Sequence, residues 1–64
     1  MSVGEKLRNL RGDKTRQEVA AELDISYSMY MKLERDERKA SDAMKVKIAK
    51  YYNQSIESIF FNAS

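Results

Sequence analysis

The chain has 64 residues, a formal charge of +2, and no cysteine, histidine or proline. A chain this short makes one small domain, and the missing thiols and imidazoles exclude a disulfide framework, the usual zinc patterns and Cys- or His-based catalysis. No stretch approaches the roughly 20 apolar residues of a membrane span and the N-terminus lacks a signal-peptide pattern, so we expect a cytoplasmic protein with a single domain over residues 1–64.

Charge is unevenly distributed. Lys6, Arg8, Arg11, Lys14 and Arg16 stand against only Glu5 and Asp13, whereas residues 17–24 hold Glu18, Glu22 and Asp24 and no cation. Cations return at Lys32, Arg35, Arg38 and Lys39, and again at Lys45, Lys47 and Lys50. Such segregation fits either a polyanion-binding face or an ordinary solvated helical surface.

Val3, Leu7 and Leu10 fall at i, i+4 and i+7, the apolar stripe of a first helix, and Gly12 suits the residue just past its end. "TRQE" (residues 15–18) reads as a capping box that opens a second helix with Val19, Ala20 and Leu23 inward. Asp24 makes the turn, and Ser26 caps a third helix with Tyr30 and Leu33 inward. Ser41 caps a fourth helix carrying Met44, Ile48, Ala49 and Tyr52 on one face. "MKVKIAK" (residues 44–50) also alternates like a strand, but it runs on into "YY" at helical spacing with no partner strand nearby. Asn53 ends this helix, and Ser55 caps a last turn containing Ile56, Ile59 and Phe60. The fold class is therefore all-α, with five short helices and no sheet.

The helices over residues 15–23 and 26–35 are joined by a tight turn. Ala20 allows a close crossing and Ile25 plugs the gap, which suits a helix-turn-helix that projects its second helix into the major groove of DNA. "TRQEVAAELDISYSMYMKLERDER" followed by "IAKYYNQSIESIFF" resembles the phage repressor and Cro-like helix-turn-helix family, often called the Xre family. The resemblance runs over about residues 7–61. It implies a compact five-helix, lambda-repressor-like domain that regulates transcription as a homodimer on a palindromic double-stranded DNA operator. A control protein of a phage or other mobile element fits. No catalysis, cofactor, metal or small-molecule ligand is implied.

Carried over by residue, the resemblance places Arg16, Gln17, Ser26, Arg35, Arg38 and Lys39 on the DNA backbone. It places Tyr27, Ser28, Met31 and Lys32 toward the bases and pairs Arg11 with Glu34 between the first and third helices. The bland alternatives are Tyr27 packed on the rim of the helix pair, Lys32 and Arg35 merely solvated, and Arg11 with Glu34 as an exposed pair. Met29 is expected to pack against the second helix. Ile59, Phe60 and Phe61 finish the core or form a dimer seam; Phe60 is expected inward, with Ile59 and Phe61 as candidates for the seam. The chain departs from the family pattern at Arg16, where glutamine is usual, at Asp24 and Asp36, where glycine is usual, and at Ala40, where proline is usual. Its turn between the first two helices is also about two residues shorter. Asp36 and Glu37 would repel phosphate, which favours a rival reading: the same fold used as a protein-interaction module, as in an antitoxin or antirepressor partner.

Overall fold

A computed structural model describes residues 1–61, which form five helical elements in chain order. These are α1 (Val3–Arg11), α2 (Arg16–Leu23), α3 (Tyr27–Glu34), α4 (Asp42–Tyr52) and a single π-helical turn, α5 (Glu57–Phe61). No strand occurs among the described residues, so the strand-like alternation in residues 44–50 lies within α4. No described helix is long and apolar enough to cross a membrane.

Local chemistry fixes both ends of most helices. Thr15 Oγ1 accepts the Glu18 amide at 3.1 Å while Glu18 Oε1 accepts the Thr15 amide at 3.3 Å, a reciprocal capping box. Ser2 and Glu5 form a second box at the start of α1, which the sequence reading had not singled out. Ser26 and Ser41 cap α3 and α4 by accepting the amides of Met29 and Met44.

Three helices close in the same way. Asp24, Asp36 and Asn53 have φ of 59°, 58° and 55°. In each case the next amide reaches back five residues: Ile25 to the Ala20 carbonyl, Glu37 to Lys32 and Gln54 to Ala49, at 2.9–3.0 Å. These are Schellman closures, which need a left-handed residue and satisfy carbonyls the helix leaves open. Aspartate and asparagine are the non-glycine residues that visit this region most readily. The aspartates at the family's glycine positions therefore preserve the backbone turn. Gly12 closes α1 with a positive φ of 60° but a ψ of −126°, outside the left-handed helical region.

The core gathers Leu7, Val19, Ala20, Leu23, Tyr30, Leu33, Ile48, Ala49 and Ile59. Val3, Leu10, Ile25, Met44, Tyr52, Ile56 and Phe60 pack around it half-buried. Helix α3 sits between α1 and α2, and α5 packs back on α1, where Lys6 Nζ donates to the Ser58 carbonyl at 2.8 Å. Ile59 departs from its expected place. It is 1% exposed inside the monomer's own core and is not available to a dimer seam, because the π-helical turn rotates it onto α1 and leaves Phe61 outside at 64% exposure.

Candidate nucleic-acid interface

The Schellman turn at Asp24 and the cap at Ser26 set the direction in which α3 leaves α2. With Tyr30, Leu33 and Glu34 buried, the helical period turns Ser28 and Lys32 outward, and Tyr27, the first residue of α3, is exposed beside them at 43%. Met31 is half-buried on the edge of that face. Met29 is half-buried and lines a shallow cleft with Leu33, Ala40 and Met44, toward the start of α4. Gln17 is exposed in the first turn of α2. The Ser26 hydroxyl oxygen is occupied as a cap acceptor, which leaves its proton free to donate.

Beyond α3 the loop carries Arg35, Arg38 and Lys39, all exposed. Arg35 is paired with Glu37 at 2.9 Å, which accounts for one of the two acidic residues there. The side chains of Lys32, Arg38 and Lys39 have no ion-pair or hydrogen-bond partner among the described residues. Asp36, the other acid, turns inward: its Oδ1 accepts the Gly4 amide at 2.9 Å. That hydrogen bond, with another from Ser2, holds its carboxyl below the usual aspartate range.

Glu34 anchors the site from inside. Its side chain is wholly buried, with Arg11 Nε at 2.7 Å from one carboxylate oxygen and Arg16 Nε at 3.0 Å from the other. Burial pushes this carboxyl up, but hydrogen bonds from Arg11, Tyr30 and Arg16 outweigh it and hold it below the ordinary glutamate range. Both arginines are held charged by the same carboxylate. Burial raises the Tyr30 phenol well above its ordinary value, and its hydroxyl lies 3.3 Å from that of Tyr52 on α4. Arg8 Nη1 donates to the Glu34 carbonyl and Arg11 Nη1 to the Lys14 carbonyl, at 2.7 Å for the latter. One buried carboxylate thus ties α1, α2 and α3 together directly behind the outward face.

Arg16 is consequently turned toward Glu34, beside Tyr27. Arg11, Thr15, Arg16, Gln17 and Tyr27 line one open depression at the junction of α2 and α3. Three further groups escaped the sequence reading. Arg8 and Asp36 act across gaps of 26 and 32 residues, and no spacing rule spans such distances. Lys14, Glu22 and Tyr51 form the third, with Lys14 Nζ 2.9 Å from Glu22 and 3.1 Å from the Tyr51 hydroxyl, which itself donates to Glu22. They staple the α1–α2 turn to α4.

Comparison with protein families matches the family described as Helix-turn-helix over residues 5–59. Comparison with curated proteins and with solved structures found no match.

Proposed function

The chain belongs to the helix-turn-helix family of DNA-binding domains, and from that premise we propose that it is a sequence-specific transcriptional regulator. It acts as a homodimer on a palindromic double-stranded DNA operator, where the DNA is, in the cytoplasm. The observation that carries this reading is the pairing of an exposed Tyr27, Ser28 and Lys32 face with cations that have no protein partner, Lys32, Arg38 and Lys39.

Two α3 helices related by a two-fold axis enter successive major grooves about 34–36 Å apart. Tyr27, Ser28, Met31 and Lys32 face the bases, where a tyrosine ring meets a thymine methyl and a lysine meets guanine. Gln17, Ser26, Arg35, Arg38 and Lys39 hold phosphates and set the register. Arg16 serves this face from behind, through Glu34 and Tyr27, with its terminal amino groups beside the depression that Gln17 shares. Phe61 is the exposed apolar residue offered to a dimer partner. A cofactor has no part in this mechanism. The phage or mobile-element setting comes from the family resemblance alone.

Fluorescence anisotropy with DNA flanking the gene tests the reading. A dimer making about 6–10 phosphate contacts loses on the order of 10³–10⁵ in affinity between about 50 and 200 mM salt. Salt-insensitive binding, or no binding to any duplex, overturns it.

A further inference from the structure

Two adjoining clefts follow the loop between α3 and α4. The larger, about 400 Å³, has an apolar floor of Val3, Leu33, Ala40 and Phe60 under a rim of Arg38, Lys39 and Lys45. The smaller, about 160 Å³, shares Leu33, Ala40, Arg38 and Lys39 and adds Met29 and Met44. Together they form one apolar trough edged by cations. Arg38 and Lys39 have no partner among the described residues. Lys45 is only loosely held, 3.9 Å from Asp42 and 4.9 Å above the exposed Phe61 ring. One carboxylate also lines the larger cleft, that of Asp36, but its charge is met by the Gly4 amide and by nearby Arg8.

Phosphate has no use for an apolar floor, whereas a cleft within the range of about 300–1,000 Å³ seats a large side chain. Carboxylates match the rim. We propose that this groove docks a segment of a second protein bearing a large apolar side chain flanked by acidic residues. The docked segment covers Arg38 and Lys39, and so opposes the DNA binding proposed above. The docking itself stands apart from that reading; only the opposition to DNA rests on it.

The probe is a short fluorescent peptide with a central Phe-Leu pair and two glutamates on each side. Binding is read without DNA, by anisotropy and by amide chemical-shift mapping. The expected shifts fall on residues 36–45, Val3 and Phe60. Lys45→Glu and Arg38→Glu each weaken the peptide by about tenfold or more. A peptide with lysine in place of glutamate, or alanine in place of Phe-Leu, does not bind. Four results overturn the proposal: no shift at millimolar peptide, equal binding of the lysine peptide, shifts elsewhere, or self-association that already protects the groove in the free protein. A second arm adds the peptide to a DNA complex. Displacement supports the antagonism, and co-occupancy removes it. Met44 lines the smaller cleft and has no assigned DNA or dimer role, so Met44→Ala separates the readings: it lowers peptide affinity and leaves DNA affinity within about twofold. Failure to bind any duplex ends the DNA reading while the first arm still decides the docking.

Discussion

Asp36 Oδ1 accepts the amide of Gly4 at 2.9 Å, joining the end of α3 to the first turn of α1. The Gly4 amide is one of the donors a helix start leaves unsatisfied, and a carboxylate there also meets the positive end of the helix dipole. The approach is close enough that a Cβ on Gly4 would overlap the Glu34 carbonyl. Gly4→Ala therefore forces backbone to move and costs about 1–3 kcal/mol in urea denaturation. At position 36 the order is the test. Asp36→Asn, which keeps both the acceptor and the left-handed turn, stays within about 0.5 kcal/mol. Asp36→Gly loses the acceptor but relaxes the backbone, and Asp36→Ala loses both, at about 2 kcal/mol. Equal losses for glycine and alanine would exclude any role for the backbone conformation.

Two guanidiniums sharing one buried carboxylate should not behave additively. Arg16→Met leaves Glu34 its stronger partner, and with the Arg16 side chain 40% exposed the loss is about 1 kcal/mol. Arg11→Met costs about 2 kcal/mol, since Arg16 stays in place. The double substitution strands the carboxylate and exceeds the sum by about 1 kcal/mol or more. A double-mutant cycle on unfolding free energies measures that excess, and simple additivity would mean that the two arginines act independently rather than through a shared carboxylate.

Acid should weaken the fold through the same group. Glu34 has a folded pKa below its unfolded value of about 4.3, so its contribution is fully present above that value. It is lost as pH falls through the lower folded value, and Asp36 adds a dependence of the same sign. The melting temperature of the native chain should be flat from neutrality to about pH 5 and then fall. Glu34→Gln should be less stable at neutral pH, with the gap closing as acid protonates Glu34 in the native chain. A gap constant down to about pH 2 contradicts the assignment.

On DNA, the cations divide into two kinds. Arg38→Ala should weaken all sequences alike and reduce the slope of log affinity against log salt by about 0.9 per phosphate lost. Arg16→Gln, because its guanidinium is engaged by Glu34 and lies beside Tyr27, should leave that slope unchanged and instead relax the preference that Tyr27→Ala also relaxes. Selection of bound sites from random duplexes, run beside salt titrations, reads both effects. A lower slope for Arg16→Gln would place Arg16 on phosphate after all.

Much of the fold was legible because its signals are local. Thr15 with Glu18, Ser26 and Ser41 act within three residues, and the apolar stripes of α1 to α4 need only helical period. The family resemblance told Tyr27 from Tyr30, which periodicity alone does not, since residues three apart share a helix face; Tyr27 is 43% exposed at the start of α3 and Tyr30 lies in the core. Ile59 departs from its expected place because a π-helical turn does not follow the usual period, whereas Phe61 is exposed as expected. Asp36 and Glu37 looked like a flaw in a DNA-binding surface. Their charges are met by Gly4 and Arg35, neither apparent from the run itself.

By itself the sequence determined where α2, α3 and α4 start, that the described elements are helical, and which face of α3 is apolar, since caps and periodicity act over one turn of chain. Only the tertiary structure decided how the charges are disposed. Which cations neutralise the buried Glu34 depends on helices meeting across 18 and 23 residues, because that carboxylate takes whatever guanidiniums the packing brings within reach. Among the described residues the same packing leaves the side chains of Lys32, Arg38 and Lys39, on and just beyond α3, without a partner.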